Sequence, residues 1–199
     1  MSARGRAIAA LGMLGSLMLP PVRHALEADM ARHMLLAFPL AMALGALAFG
    51  RRFDAGFASI DRLGLTGWLF ASLVLAYWMI PSALDAAIAS PATDAAKLAS
   101  LALAGAALRS SWRRSPPMLE AFFVGNFAWM AATVGLLYQD APAQLCLNYL
   151  SDSQQRAGSG LVLAAIACGA AWLYLRRRAV GLAPVAAPAL PFPLEKRKM

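Results

Sequence analysis

The chain reads as an all-α integral membrane protein, a bundle of about six transmembrane helices with cytoplasmic N- and C-termini. Three observations predict this. Of 199 residues, 60% are hydrophobic and 14% charged, whereas soluble domains carry roughly a quarter charged residues. The apolar residues fall into blocks of about twenty separated by short polar links, the pattern of membrane-spanning helices rather than of an alternating β-barrel. The basic residues gather at the block ends.

Taken in order, the blocks predict spans near 7–21, 28–50, 65–88, 95–112, 117–138 and 156–175 within one domain, 1–178. A basic leader, MSARGR, precedes the first block, which Pro20 and Pro21 close. That block is short, a first helix or an uncleaved signal anchor. The second block opens on Asp29, Met30, Arg32, His33 and Met34 before becoming wholly apolar. The third contains Trp78-Met79-Ile80-Pro81 and Asp85, with Pro81 expected to kink it. Pro91 and Asp94 mark a turn into the Ala/Leu-rich fourth block, which ends at RSSWRRSPP. The fifth carries Glu120, Asn126 and Trp129. Asp152-Ser153-Gln154-Gln155 leads into the sixth, where small residues at 157–160 permit close helix packing. The tail, 179–199, is basic, rich in Ala and Pro, and expected to be flexible.

Charge sets the orientation. With alternate links assigned to the cytoplasm, 14 of the 18 Lys and Arg residues fall inside, and only Arg23, Arg32, Lys97 and Arg156 fall outside. The positive-inside rule then gives cytoplasmic termini, and the inner membrane of a bacterium is the expected location. The net charge of +8 belongs to that asymmetry, not to a nucleic-acid surface. Asp29, His33, Asp85, Asp94, Cys146 and Asp152 are all expected at the outer ends, giving a mildly acidic outer mouth. Cys146 and Cys168 make no disulfide framework. Glu120 is expected near the inner interface beside Arg113 and Arg114, and Asn126 in an interhelical hydrogen bond.

The outer mouth holds the candidate chemistry. Asp29 and His33 are four apart, on one face if both are helical, with Met30 and Met34 forming an adjacent pair. Imidazole and thioether are good copper ligands, and a carboxylate can join or support them. The bland alternatives are an interfacial histidine and packing methionines. Asp85 needs a partner, for which Arg32, His33 and Lys97 are candidates. Asp152 and Gln155 read as helix-entry polar groups. No nucleophile triad, phosphate loop, Cys-x-x-Cys pair or haem-attachment motif occurs, so no enzyme is expected.

In their order, Asp29-Met30-Ala31-Arg32-His33, Trp78-Met79-Ile80-Pro81 with Asp85-Ala86-Ala87, and Asp152–Gly158 resemble the motifs of the polytopic CtaG family of cytochrome c oxidase assembly factors. The resemblance covers roughly residues 25–175. Where that family has His-Met-x-x-His and Trp-His-x-Pro, this chain has Asp29 and Met79 at histidine positions, and Lys97 stands near a later one. The resemblance implies a membrane assembly factor for a respiratory oxidase, handling copper at the periplasmic face through His33, Met30, Asp29 and Met79, with Asp85, Lys97, Asp152 and Gln155 in support. Its partners would be oxidase subunits or assembly proteins. A His/Met set would favour Cu(I). One alternative is a diverged member that has lost the metal and keeps a scaffold role, since Lys97 would pair with Asp85 or Asp29 and repel a cation; another is a metal-free structural or accessory subunit of a membrane complex.

Overall fold

Prolines and caps divide the chain into nine helices among the residues described by this computed structural model, which are 3–49, 51–140, 149 and 151–177. Gly50, Cys146 and the tail 179–199 lie outside them. The helices are α1 (Ala3–Ser16), α2 (Pro20–Glu27), α3 (Met30–Ala48), α4 (Arg51–Ala58), α5 (Thr66–Trp78), α6 (Pro81–Ala89), α7 (Pro91–Trp112), α8 (Pro117–Asp140) and α9 (Ser151–Arg176). No strand occurs among the described residues.

Local chemistry explains the boundaries. Pro20, Pro81 and Pro91 each open a helix, where the missing N–H costs nothing and φ is already helical. The residue before proline is pushed out of the α region, and Leu19, Ile80 and Ser90 are all extended. Pro81 therefore does more than kink the third span. It starts a separate helix, bent 76° from α5, and what was expected as one span over 65–88 is a broken pair. The first block ends where Pro20 and Pro21 were expected to close it, and a second short helix follows, α1 meeting α2 at 72°. Asp29 caps α3 by accepting from the N–H groups of Ala31 and Arg32. Within α3 the backbone widens to a π-helical turn over His33–Ala37. Pro39 accounts for it, because a proline clashes with the carbonyl four residues back and leaves it without a donor.

Three helices are long and apolar enough to cross a membrane: Met30–Ala48, Pro117–Asp140 and Asp152–Arg176. Counting each bent pair as one span raises the number to five. The result is an all-helical, multi-pass membrane protein. Helix α7, the expected span 95–112, is not among the five, and its surroundings explain its polarity. It lies at the centre of the bundle, packed against α3, α4, α5 and α6, and buries Asp94, Lys97, Ser110 and Ser111 with its small residues. At 1.5 Å per residue, Asp94 to Trp112 covers roughly 27 Å, close to a hydrocarbon thickness.

Helices α3 and α7 run parallel, as His33–Lys97 at one end and Phe49–Arg109 at the other require. Their backbones touch midway. A Cβ on Gly45 would strike the Ala102 backbone, and one on Gly105 the Met42 carbonyl, so only glycine permits this crossing. Helix α5 runs antiparallel to α7, with Gly67 N–H donating to Ser111 Oγ and Trp78 Nε1 to Ser100 Oγ. Helices α8 and α9 form an antiparallel hairpin that leaves most of its surface outward, only 28% and 22% of their most apolar stretches being buried. Asn126, expected between helices of the bundle, is instead on the exposed face of α8.

The crossing yields a prediction. Gly105→Leu must push α3 and α7 apart and should lower unfolding stability in detergent by about 1–3 kcal/mol. Gly12→Leu, with open space around its α-carbon, should leave thermal unfolding near wild type. Equal effects would refute the close approach.

Candidate functional site

The end of the bundle where α3 and α7 begin, here the upper end, holds a closed ring of four charged side chains. Arg23 Nε lies 2.9 Å from Glu27 Oε2 and 3.1 Å from Asp94 Oδ2. Lys97 Nζ lies 2.7 Å from Asp94 Oδ1 and 3.2 Å from Glu27 Oε1. Two cations and two carboxylates thus alternate with no net charge, and all four are largely buried. The spacing is what helices provide: Arg23 and Glu27 are four apart on α2, Asp94 and Lys97 three apart on α7. Arg23 also donates to the carbonyls of Ala87 and Ile88, at 3.2 and 3.1 Å, satisfying the C-terminal end of α6.

His33 joins the ring through Lys97. Its Nε2 is 2.6 Å from Lys97 Nζ and its Nδ1 is 2.7 Å from the Tyr149 hydroxyl. An ammonium has three donors and no acceptor, so Lys97 donates to Asp94, Glu27 and His33, and Nε2 accepts. Nδ1 then carries the ring proton and donates to Tyr149. Both nitrogens are committed, the residue is fully buried, and Phe38 packs edge-on at 5.7 Å between centroids. Beside the ring is a cavity of about 30 Å³, lined by its four members and His33 and, on the apolar side, by Phe38 and Leu101. That is room for about one water.

The other expected site residues distribute differently. Met30, Met34 and Met79 are buried in one apolar core together with Trp78, Leu84 and Tyr138. Met30 N–H donates to Ser153 Oγ at 2.8 Å, and the Met79 carbonyl accepts from the Tyr138 hydroxyl at 2.9 Å. Asp29 is not helical, and its carboxylate bonds Ala31 and Arg32 rather than His33. It is the extended cap residue, its carboxylate held by the α3 N–H groups and 3.6 Å from Arg156. Lys97 pairs with Asp94 and Glu27 and not with Asp85 or Asp29, and Asp85 lies half-buried on α6. Asp152 and Gln155 are exposed, while the residues between them turn inward: Ser153 reaches Met30, and Gln154 Nε2 donates to the Tyr138 carbonyl at 3.1 Å. Among the described residues no three His, Cys, Asp or Glu side chains come together as a metal-holding group. Cys168 is a free thiol.

A second polar cluster closes the opposite end. Asp61, in the loop before α5, is buried. It accepts from the Ser111 hydroxyl, from Thr66 N–H at 2.9 Å and from Arg114 at 3.3 Å. Burial alone would raise its carboxyl pKa, but these bonds and the Arg114 charge outweigh it and hold the group below its ordinary value. Asp54 on α4 pairs with Arg109 at 2.9 Å and Arg113 at 3.4 Å. Glu120 takes different partners from those expected. Arg176 binds both its oxygens at 2.8 and 2.9 Å, and Trp172 Nε1 donates at 3.1 Å, which ties the foot of α8 to that of α9.

No family model, curated protein or solved structure matches this chain.

The ring carries a quantitative expectation. Lys97→Met would leave two buried carboxylates sharing the single Arg23 cation and an imidazole nitrogen without its donor, and should cost about 3–5 kcal/mol of unfolding stability in detergent. Arg32→Met, at an exposed position, should stay within about 0.5 kcal/mol of wild type. A Lys97→Met protein as stable as wild type would mean the ring does not hold the upper end.

Proposed function

We propose that the chain is a six-span protein of the bacterial inner membrane, both termini cytoplasmic, which serves the assembly of a respiratory oxidase as a non-enzymatic helical scaffold. The oxidase rests on the order of the three sequence motifs. The orientation rests on the basic residues, most of which fall on the side of Arg109, Arg113, Arg114 and Arg176. Counting α7 as the sixth span is supported by its length and its central packing.

One observation carries the scaffold reading over copper handling: Lys97 donates to the His33 nitrogen that a metal would need. A cation arriving there must displace an ammonium held by two carboxylates, which would leave Arg23 as their one remaining cation in the ring. The buried thioethers of Met30, Met34 and Met79 favour the second reading, Cu(I) handling with His33, which requires Lys97 to withdraw.

Copper content after Cu(I) loading distinguishes the two in detergent-purified protein. The scaffold reading expects negligible, equal copper in wild type and His33→Ala. About one copper per chain, lost in His33→Ala, would overturn it. In the same preparations oxidase subunits should co-purify at well below one per chain, as with a factor that leaves. Stoichiometric retention would make the protein an accessory subunit instead.

A further inference from the structure

The exposed face of α8 carries one residue that lipid does not suit. Asn126 lies about 14 Å along the helix from Pro117 and about 21 Å from Asp140, near mid-membrane for a helix of this length. It is exposed and makes no hydrogen bond to any described residue. A carboxamide without a partner in hydrocarbon costs several kcal/mol. Its exposed neighbours are apolar and suit lipid well: Phe122 is 67%, Trp129 75% and Leu136 53% exposed.

The spacing says what kind of surface this is. Phe122, Asn126, Trp129, Thr133 and Leu136 follow one another at intervals of four, three, four and three, the repeat of a helix that pairs with another helix along a seam. Gly125 beside Asn126 has open space over its α-carbon, which lets a second backbone approach. From these we propose that α8 is a homodimerisation helix, pairing in parallel with α8 of a second copy of this chain, with the two Asn126 side chains hydrogen-bonded to one another.

A second copy is the occupant that satisfies every feature together. Copies inserted in one orientation can meet about a two-fold axis along the membrane normal, which sets α8 against α8 in parallel and in register. Each stripe residue then faces its own image. A carboxamide carries both donor and acceptor, so it is complementary to itself, and a single Asn in a helical seam selects the dimer and its register. The inference is independent of which complex the protein serves.

The test uses the full chain reconstituted in lipid bilayers, with subunits counted by single-molecule photobleaching over a range of protein-to-lipid ratios. Wild type should dimerise. Asn126→Leu should weaken the dimer about threefold to thirtyfold, the worth of a helix–helix polar contact in membranes, and Asn126→Gln should retain most of it. Both variants should unfold as wild type does, because the position is exposed. With Cys146 and Cys168 replaced by serine, Thr133→Cys should form a cross-chain disulfide on oxidation, whereas Leu163→Cys, on the exposed face of α9, should not. A monomer at every ratio, a dimer indifferent to Asn126→Leu, or cross-linking through Leu163→Cys would each overturn the proposal.

Discussion

The Lys97 ammonium, with one proton directed to each of Asp94, Glu27 and His33, is the interaction on which the upper end of this molecule depends. Through it α2, α3 and α7 share one polar centre. Arg23 extends that centre to the carbonyls ending α6, and His33 extends it to Tyr149. Buried ion pairs contribute little net stability against an apolar replacement of the same shape, yet removing one member is costly. The ring is therefore better understood as a constraint on geometry. It tolerates one relative arrangement of four helix ends and strands a charge in any other.

The proline-induced breaks make that arrangement possible. A continuous third span would carry Leu84 and Ala87 up the axis of α5. Broken at Pro81, the chain turns by 76°, buries those residues in the core and brings the end of α6 within reach of Arg23. The polar groups this requires are supplied by α7, which is why that helix looks least like a membrane span while sitting deepest in the bundle. The opposite end is closed in the same manner by Asp61, Asp54 and Glu120, each paired with arginine. Between the two ends the α3–α7 contact is nearly backbone on backbone. The α8–α9 hairpin is left as the outward part of the molecule, and there Asn126 stands out.

The helical, membrane-embedded character was legible because hydropathy and the positions of basic residues depend only on block structure. His33 was legible too, as a polar group at the head of an apolar run. Its partners were not. The expectation that Asp29 faces His33 required both residues to be helical, yet an Asp immediately before an apolar run is also the common cap, and capping is what Asp29 does. Arg23 with Glu27 and Asp94 with Lys97 have helical spacing visible in the sequence. Arg23, Glu27 and Asp94 lie in stretches that read as links, so Lys97 was connected to the site without the partners it has there. Tyr149, more than a hundred residues from His33, left no local signal at all. At the entry to α9, Asp152 and Gln155 face outward and Ser153 and Gln154 inward, a rotation that composition does not encode. Pro39 was the available sign of the π-helical turn that begins at His33.

The central claim is that His33 is a neutral imidazole whose Nε2 accepts from Lys97 and whose Nδ1–H donates to Tyr149, a closed arrangement rather than an open ligand. Nitrogen-15 NMR of ring-labelled histidine in bilayers, with His24→Gln leaving His33 as the one labelled ring, measures this directly. The account predicts a protonated Nδ1 and an unprotonated, hydrogen-bonded Nε2, unchanged when Cu(I) is added. An imidazolium, a proton on Nε2, or a Cu(I)-dependent shift of the ring nitrogens would contradict it.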